Sequence, residues 1–422
     1  MPVLHFMMEK ENISSVIFKT ALDGLELWDE GVMLDNFLDE DPNASKYRRS
    51  ISSLLYTYFR NRALIEFGIA KFARDVDHKF MTILSVALTE AWFHTGIPKE
   101  IAVNLAVDYA HRRYGAKPAG FINAVLRRTA SIDPVEIEKD APPEVKLNLP
   151  AILYKRWKER WSEAELANFA KTLRSKPPFT FRLLTEIPED ELKEASCYEV
   201  KTGFDLAPFR FYGTEHPENI FRKKWLEEGK IYVQDPVTVL APLMLNPSKN
   251  DITADLCAAP GGKAMALAEL MKGGTLLASD SSFDRQKRTV ENFAKSKCGD
   301  ISLVVSSDGM AFKESSFDAI LLDVPCSNTG VGRHKPDALW RFSIPRLNGI
   351  VKDQKRILYG AAKLLKPGGR LVYSTCSVES EENSVQVKKL VSEKPQFTLK
   401  EEKLILPSDA NDGAYVALVE KK

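Results

Sequence analysis

Ile252-Thr253-Ala254-Asp255-Leu256-Cys257-Ala258-Ala259-Pro260-Gly261-Gly262-Lys263 decides the fold. It reads as a short strand, a turn of small residues, and the opening of a helix. Downstream, strand-like runs recur at 275–279, 302–306, 319–323 and 370–374, and helical runs separate most of them. That alternation is the pattern of a doubly wound parallel sheet. Two further runs, 397–406 and 415–419, are placed to add an antiparallel pair at one edge. In such sheets ligands bind outside the carboxyl ends of the strands, so chemistry is sought there.

The turn itself points to a bound cofactor. Its glycines let the backbone approach a ligand closely, and the helix that follows offers free N–H groups. The spacing is not the G-x-G-x-x-G of a dinucleotide site. Asp280 ends the second strand, where an acid accepts hydrogen bonds from ribose hydroxyls. Asp308, in Ser307-Asp308-Gly309 after the third strand, is placed to accept from an adenine amino group. A packed turn with solvated acids is the plainer alternative. Acids at strand ends in this order favour a ribose-plus-adenine ligand without a pyrophosphate loop, namely S-adenosylmethionine.

The sharpest chemical signal is a pair of cysteines. Cys326 lies in Asp323-Val324-Pro325-Cys326, after the apolar run Ala319 to Leu322, and Cys376 lies in Ser374-Thr375-Cys376-Ser377, after Arg370 to Tyr373. Each closes a predicted parallel strand, so both thiols face the same crevice. A lone cysteine is more often inert packing. That reading is kept for Cys197 and Cys298, and Cys257 is expected to pack beside the cofactor loop. No Cys-x-x-Cys pair or His/Cys cluster suggests zinc. Few, dispersed cysteines suit a reducing cytoplasm.

Upstream, residues from about 12 to 130 carry apolar positions at helical spacing and predict an α-helical bundle. Prolines 134, 142, 143 and 150, with acids between them, mark a linker. A helix over 152–174 and strand candidates at 179–184 and 231–234 predict a small α+β insert. The expected domains are therefore 1–135, 136–230 and 231–422. The chain has 422 residues, 44% apolar and 28% charged, with a formal net charge of +1. This is ordinary for a soluble globular protein. A nucleic-acid binder of this balance needs local basic patches. No signal-peptide core or bilayer-length apolar run is present in the sequence.

Asp-Leu-Cys-Ala-Ala-Pro-Gly-Gly-Lys at 255–263, Asp-Val-Pro-Cys-Ser at 323–327 and Ser-Thr-Cys-Ser at 374–377 together resemble the Nop/Sun family of RNA cytosine-C5 methyltransferases, nearest its bacterial Sun/Fmu branch. Gly120 to Arg128 and Ile97 to Asn104 are similar to the NusB-like helical domain of that branch. The resemblance implies a NusB-like bundle, a small α+β domain and a Rossmann-like methyltransferase domain. It implies Cys376 as the nucleophile on cytosine C6, Cys326 as the thiol that assists release, and Asp323 at the cytosine edge. Lys263 would orient the base or Asp323. The cofactor residues would be Cys257, Ala258, Ala259, Pro260, Gly261, Gly262, Lys263, Asp280, Arg285, Asp308 and Asp323.

The same resemblance makes Gly330 to Asp337 a basic loop, with Arg333, His334 and Lys335 meeting phosphate and Trp340 either stacking on a base or packing. Arg127 and Arg128 close the helical domain as further RNA contacts. Gln234-Asp235 is similar to the family's lead into the catalytic domain, and Asp235 also fits a helix N-cap. The expected substrate is a cytosine of 16S rRNA, free or in a partly assembled small subunit, acted on by a cytoplasmic monomer without membrane contact. The alternatives are the same chemistry on tRNA or 23S rRNA, and a non-catalytic RNA-binding assembly factor. A small-molecule methyltransferase has no need of two strand-end thiols.

Overall fold

The structure, a computed structural model, describes residues 2–296, 303–306 and 312–422. The chain divides into two compact units, Met1–Ser175 with Lys335–Arg341, and Lys176–His334 with Phe342–Lys422.

The first unit is helical. Its long helices are α1 (Pro2–Asp29), α2 (Arg48–Ala70), α3 (His78–Phe93), α4 (Lys99–Tyr114) and α5 (Ala116–Ala130). Leu22 and Leu25 of α1, Leu55 and Phe59 of α2, and Ile122 and Leu126 of α5 meet in one core. Every residue from Thr82 to Thr89 is buried, so α3 is enclosed all round. Asp77 caps that helix by accepting from the Lys79 N–H at 3.1 Å.

The helix expected over 152–174 is interrupted, giving Ala151–Trp157 and α6 (Glu163–Arg174). Ser162 and Glu165 form a reciprocal capping box that starts a new helix. The boundary expected near 135 does not divide the compact units, which separate after Ser175. The reason is hydrogen bonding: Asn148 accepts from Ala63 N–H and donates to the Phe59 carbonyl, both at 2.9 Å. Arg174 donates to Asn61 Oδ1 at 3.2 Å. The late segment Lys335–Arg341 is also part of this unit. Trp28 Nε1 donates to Asp337 at 3.0 Å, and Trp340 Nε1 donates to the Phe59 carbonyl at 3.0 Å. Trp340 therefore packs; its indole is committed to the helical core.

The second unit holds two sheets. The smaller comprises β1 (Phe179–Leu183), β2 (Tyr198–Glu199), β3 (Phe211–Thr214) and β4 (Ile231–Val233), ordered β2-β3-β1-β4 and antiparallel throughout. The larger comprises β5 (Ile252–Asp255), β6 (Thr275–Asp280), β7 (Leu303–Ser306), β8 (Phe317–Asp323), β9 (Leu365–Thr375), β10 (Phe397–Ile405) and β11 (Ala414–Lys421). Its order is β10-β11-β9-β8-β5-β6-β7. The five strands from β9 to β7 are parallel, and β11 and β10 add the antiparallel edge. This is the expected α/β architecture.

Alternation along the strands fills both faces. Ile320 and Leu322 of β8, with Leu371 and Tyr373 of β9, meet Leu358 of α9 (Ile344–Leu364) and Val387 of α10 (Ser384–Glu393). Ala319, Leu321 and Val372 point the other way, toward Ala264 and Leu267 of α7 (Gly262–Met271). The chain runs from β5 out to β7, then returns to β8 on the other side of β5. The reversal between β5 and β8 opens a crevice at their carboxyl ends. Among the described residues no helix is long and apolar enough to cross a membrane.

Candidate active site

The crevice begins at Asp255, the last residue of β5, whose side chain is fully enclosed. Burial, with the nearby Asp323 charge, pushes its carboxyl up to about 7. The turn that follows needs Gly261, which adopts φ 107°, a conformation that side chains disfavour. At Gly262 a Cβ would stand 2.7 Å from the Tyr232 ring, so only glycine lets α7 start this close to β4. Asp280, at the end of β6, accepts from Ala259 N–H at 3.2 Å and from Ser282 N–H at 2.9 Å. Arg285 donates to the same carboxylate at 2.7 Å.

Together these residues bound a cavity of about 220 Å³, lined by Tyr232, Gln234, Asp255, Ala258, Lys263 and Asp323 among others. Asp255 Oδ2 and Gln234 Oε1 are buried there without a hydrogen-bond partner. Cys257 lines the same cavity, and burial drives its thiol far above the ordinary range. Asp308 and Cys298 lie outside the described residues.

The reactive groups gather beside this cavity. Lys263 Nζ reaches Asp323 Oδ2 at 2.6 Å, and Ser374 donates to Asp323 Oδ1 at 3.0 Å. Burial alone would lower the Lys263 pKa, yet Asp323, Cys376 and Asp255 carry it above the ordinary lysine value. Cys326 and Cys376 meet with their sulfurs 3.1 Å apart. Cys376 also donates to Asn328 Oδ1 at 2.9 Å. The contact with Cys376, burial, and the charges of Cys376 and Glu382 hold the Cys326 thiol well above its usual range. Cys197, by contrast, is a packing cysteine of the small domain, pushed by burial up to about 11.

The basic loop is placed differently from expectation. Arg333 is buried and donates to the Ser408 carbonyl, so it is not an exposed phosphate contact. His334 Nδ1 pairs with Asp412 at 2.7 Å, and Lys335 with Asp35 at 3.4 Å. Asp235 caps the turn Pro236–Val239 through Val237 N–H and also accepts from Asp412 N–H at 3.0 Å. Asp235, His334 and Asp412 thus cluster, with one potential ligand atom of each within 4.8 Å of the others. Burial would lower the His334 pKa, but Asp412 and Asp235 raise it above the usual histidine value. Arg127 and Arg128 are exposed in the last turn of α5.

Asn328, Ser374 and Glu382 carried no role in the sequence reading. Asn328 had a signal: it follows Pro325-Cys326-Ser327 and adopts φ 61°, which asparagine tolerates. Glu382 had none, because an acid in Glu379-Ser380-Glu381-Glu382 reads as solvated.

Comparison with known proteins agrees with this geometry. Residues 242–417 match the family model of the 16S rRNA methyltransferase RsmB/F, and residues 11–131 match the NusB family. Ribosomal RNA small subunit methyltransferase B of Citrobacter koseri is 29% identical, with 93% of each chain covered. The crystal structure of PH0851 shares the fold at TM-score 0.77 and 23% identity, covering 96% of this chain and 99% of that one. Ribosomal RNA small subunit methyltransferase B of Vibrio vulnificus is 30% identical over 78% of this chain and 80% of its own. With a relative that similar over most of both sequences, and with the reactive groups gathered where its α/β fold opens, the chain belongs to the RsmB/F family of 16S rRNA methyltransferases.

Proposed function

We propose that the chain methylates C5 of a cytosine in 16S rRNA, using S-adenosylmethionine and a covalent bond from Cys376 to C6 of the base. The observation that carries this reading is the thiol pair at 3.1 Å, set beside the Lys263–Asp323 pair at 2.6 Å.

The cofactor fits the cavity at β5. Asp255 Oδ2 and Gln234 Oε1 are buried acceptors without partners, and Gly261 and Gly262 keep the backbone bare. Asp280 and the 257–263 turn would hold the cofactor, which supplies an electrophilic methyl group when bound. The protein must do the rest. Cytosine C5 is a poor nucleophile until a thiolate adds to C6. Cys376, as thiolate, forms that S–C6 bond and shifts an electron pair toward C5. Asp323, held by Lys263 and Ser374, faces the N3 edge and stabilises the protonated ring. Loss of the C5 proton to a base and departure of the Cys376 sulfur restore aromaticity. Cys326, kept as a thiol, is poised at the leaving sulfur.

The base must be unstacked from its RNA to reach the pocket. The NusB-like unit, with Arg127 and Arg128, would position the RNA.

The test is transfer of label from S-adenosylmethionine to unmodified 16S rRNA, 23S rRNA and tRNA, read by nucleoside mass spectrometry. Wild type should give 5-methylcytosine at one 16S site and Cys376→Ala none. Cys326→Ala should accumulate a protein–RNA adduct. Label confined to tRNA would keep the chemistry and move the substrate. No label in any RNA would sink the reading.

A further inference from the structure

Glu382 lies just past β9 and is completely buried, yet among the described residues no lysine or arginine pairs with it. Burying an unpaired carboxylate is costly unless hydrogen bonds offset it. Here they do. Oε1 accepts from Ser327 N–H at 2.8 Å and from Gln354 Nε2 at 3.2 Å. Oε2 accepts from Ser377 Oγ at 2.5 Å and from Ser327 Oγ. Ser327 directly follows Cys326, and Ser377 directly follows Cys376. Asn383 secures the second turn from its other side, donating to the Ser377 carbonyl at 2.8 Å. Tyr373 donates to the Glu382 carbonyl at 2.7 Å, which fixes the backbone that carries the carboxylate.

We propose that Glu382 is a positioning residue for both cysteines: one carboxylate ties the turn after Cys326 to the turn after Cys376 and so sets the contact between the thiols. Only a carboxylate suits the task, because every group facing it donates; an amide would turn N–H groups toward donors. Its charge has a second effect. It opposes ionisation of Cys326, while Lys263 lies on the Cys376 side, so the two thiols are kept chemically distinct.

The consequence for turnover rests on the covalent reading above; the consequence for the thiols does not. The experiment is therefore site-resolved alkylation of the full-length protein with iodoacetamide between pH 6 and 10, read by mass spectrometry without RNA or cofactor. In Glu382→Gln, the Cys326 profile should shift to lower pH, with alkylation at pH 8 faster by about tenfold, equivalent to one pKa unit. Where methylation is measurable, kcat should fall and KM for RNA should stay within about twofold, the pattern of a lost transition-state interaction. If Glu382→Gln does not fold, the Ser327→Ala/Ser377→Ala pair cuts the same links and is read the same way. An unmoved Cys326 profile in a folded variant overturns the proposal, even if activity falls, because a merely structural role would lower activity without moving it. A shifted profile with no methylation of any RNA in wild type would retain the positioning role and reject the cytosine-C5 reading.

Discussion

Asp255 is enclosed because β5 lies between β6 and β8, and its carboxyl titrates near 7. An unfolded aspartate titrates near 3.9. The folded value is the higher one, so folding takes up a proton between the two. The stability that this contributes is complete below about pH 4 and is lost as pH rises through about 7. Asp255→Asn removes this dependence. Relative to wild type, the variant should gain stability between pH 5 and pH 8, by up to about 4 kcal/mol for a three-unit shift. Urea unfolding at both pH values is the check; an equal difference at both would mean that Lys263 keeps Asp255 ionised. Asp255 stood in the quoted motif without a role, because its burial depends on strand order, which local sequence does not carry. Cys326 and Cys376 were legible for the opposite reason: each follows a predicted strand, and parallel strands bring their ends together.

Elements place these residues through close backbone contacts. The turn carrying Asn328 runs into Gly330, whose N–H donates to the Cys376 carbonyl at 2.9 Å and whose carbonyl accepts from Gly413 N–H at 2.8 Å. A Cβ on Gly330 would lie 2.8 Å from the Cys376 carbonyl oxygen and 3.0 Å from Gly413 Cα. Both are main-chain atoms, so neither can rotate away. Gly330→Ala should displace Cys376 from its partner thiol, lowering kcat at least about tenfold and stability by about 1–3 kcal/mol. Labelled-methyl transfer beside an unfolding curve separates the two effects; unchanged kcat would mean that Cys376 is set by β9 alone. The alternation of strands and helices was readable from 252 onward, since hydrophobic period distinguishes them. The break at Ser162 was not used, although Ser-x-x-Glu is a capping signature, because Trp157, Leu166 and Phe169 continue the apolar stripe. The contacts of Gly330 were invisible, because they join segments far apart in the chain.

At the scale of the whole chain, charge bears on how RNA is held. Lys plus Arg is 59 and Asp plus Glu is 58, so RNA attraction cannot come from net charge and must come from local surfaces. The sequence reading located such surfaces by basic runs alone, and that criterion fails wherever the run is internally paired. Arg333 is buried, His334 is bound to Asp412, and Lys335 to Asp35. The segment after His334 belongs to the helical unit, an arrangement set by contacts of Trp28 and Phe59 that no window around residue 335 contains. Arg127 and Arg128, exposed in the last turn of α5, satisfy the criterion that the loop does not. If they contact phosphate, Arg127→Ala/Arg128→Ala should weaken RNA binding at all sequences alike. It should also reduce the slope of log K against log salt by about two, close to one per contact. Filter or fluorescence binding from 50 to 300 mM salt measures it, ~50 mM being low enough to keep the electrostatic contribution strong. Cys326 alkylation, which needs no RNA, should be unchanged in this variant. A salt slope equal to that of wild type would remove these arginines from the RNA path and leave the exposed His334 face, whose raised pKa would make binding weaken as pH rises, as the remaining phosphate contact.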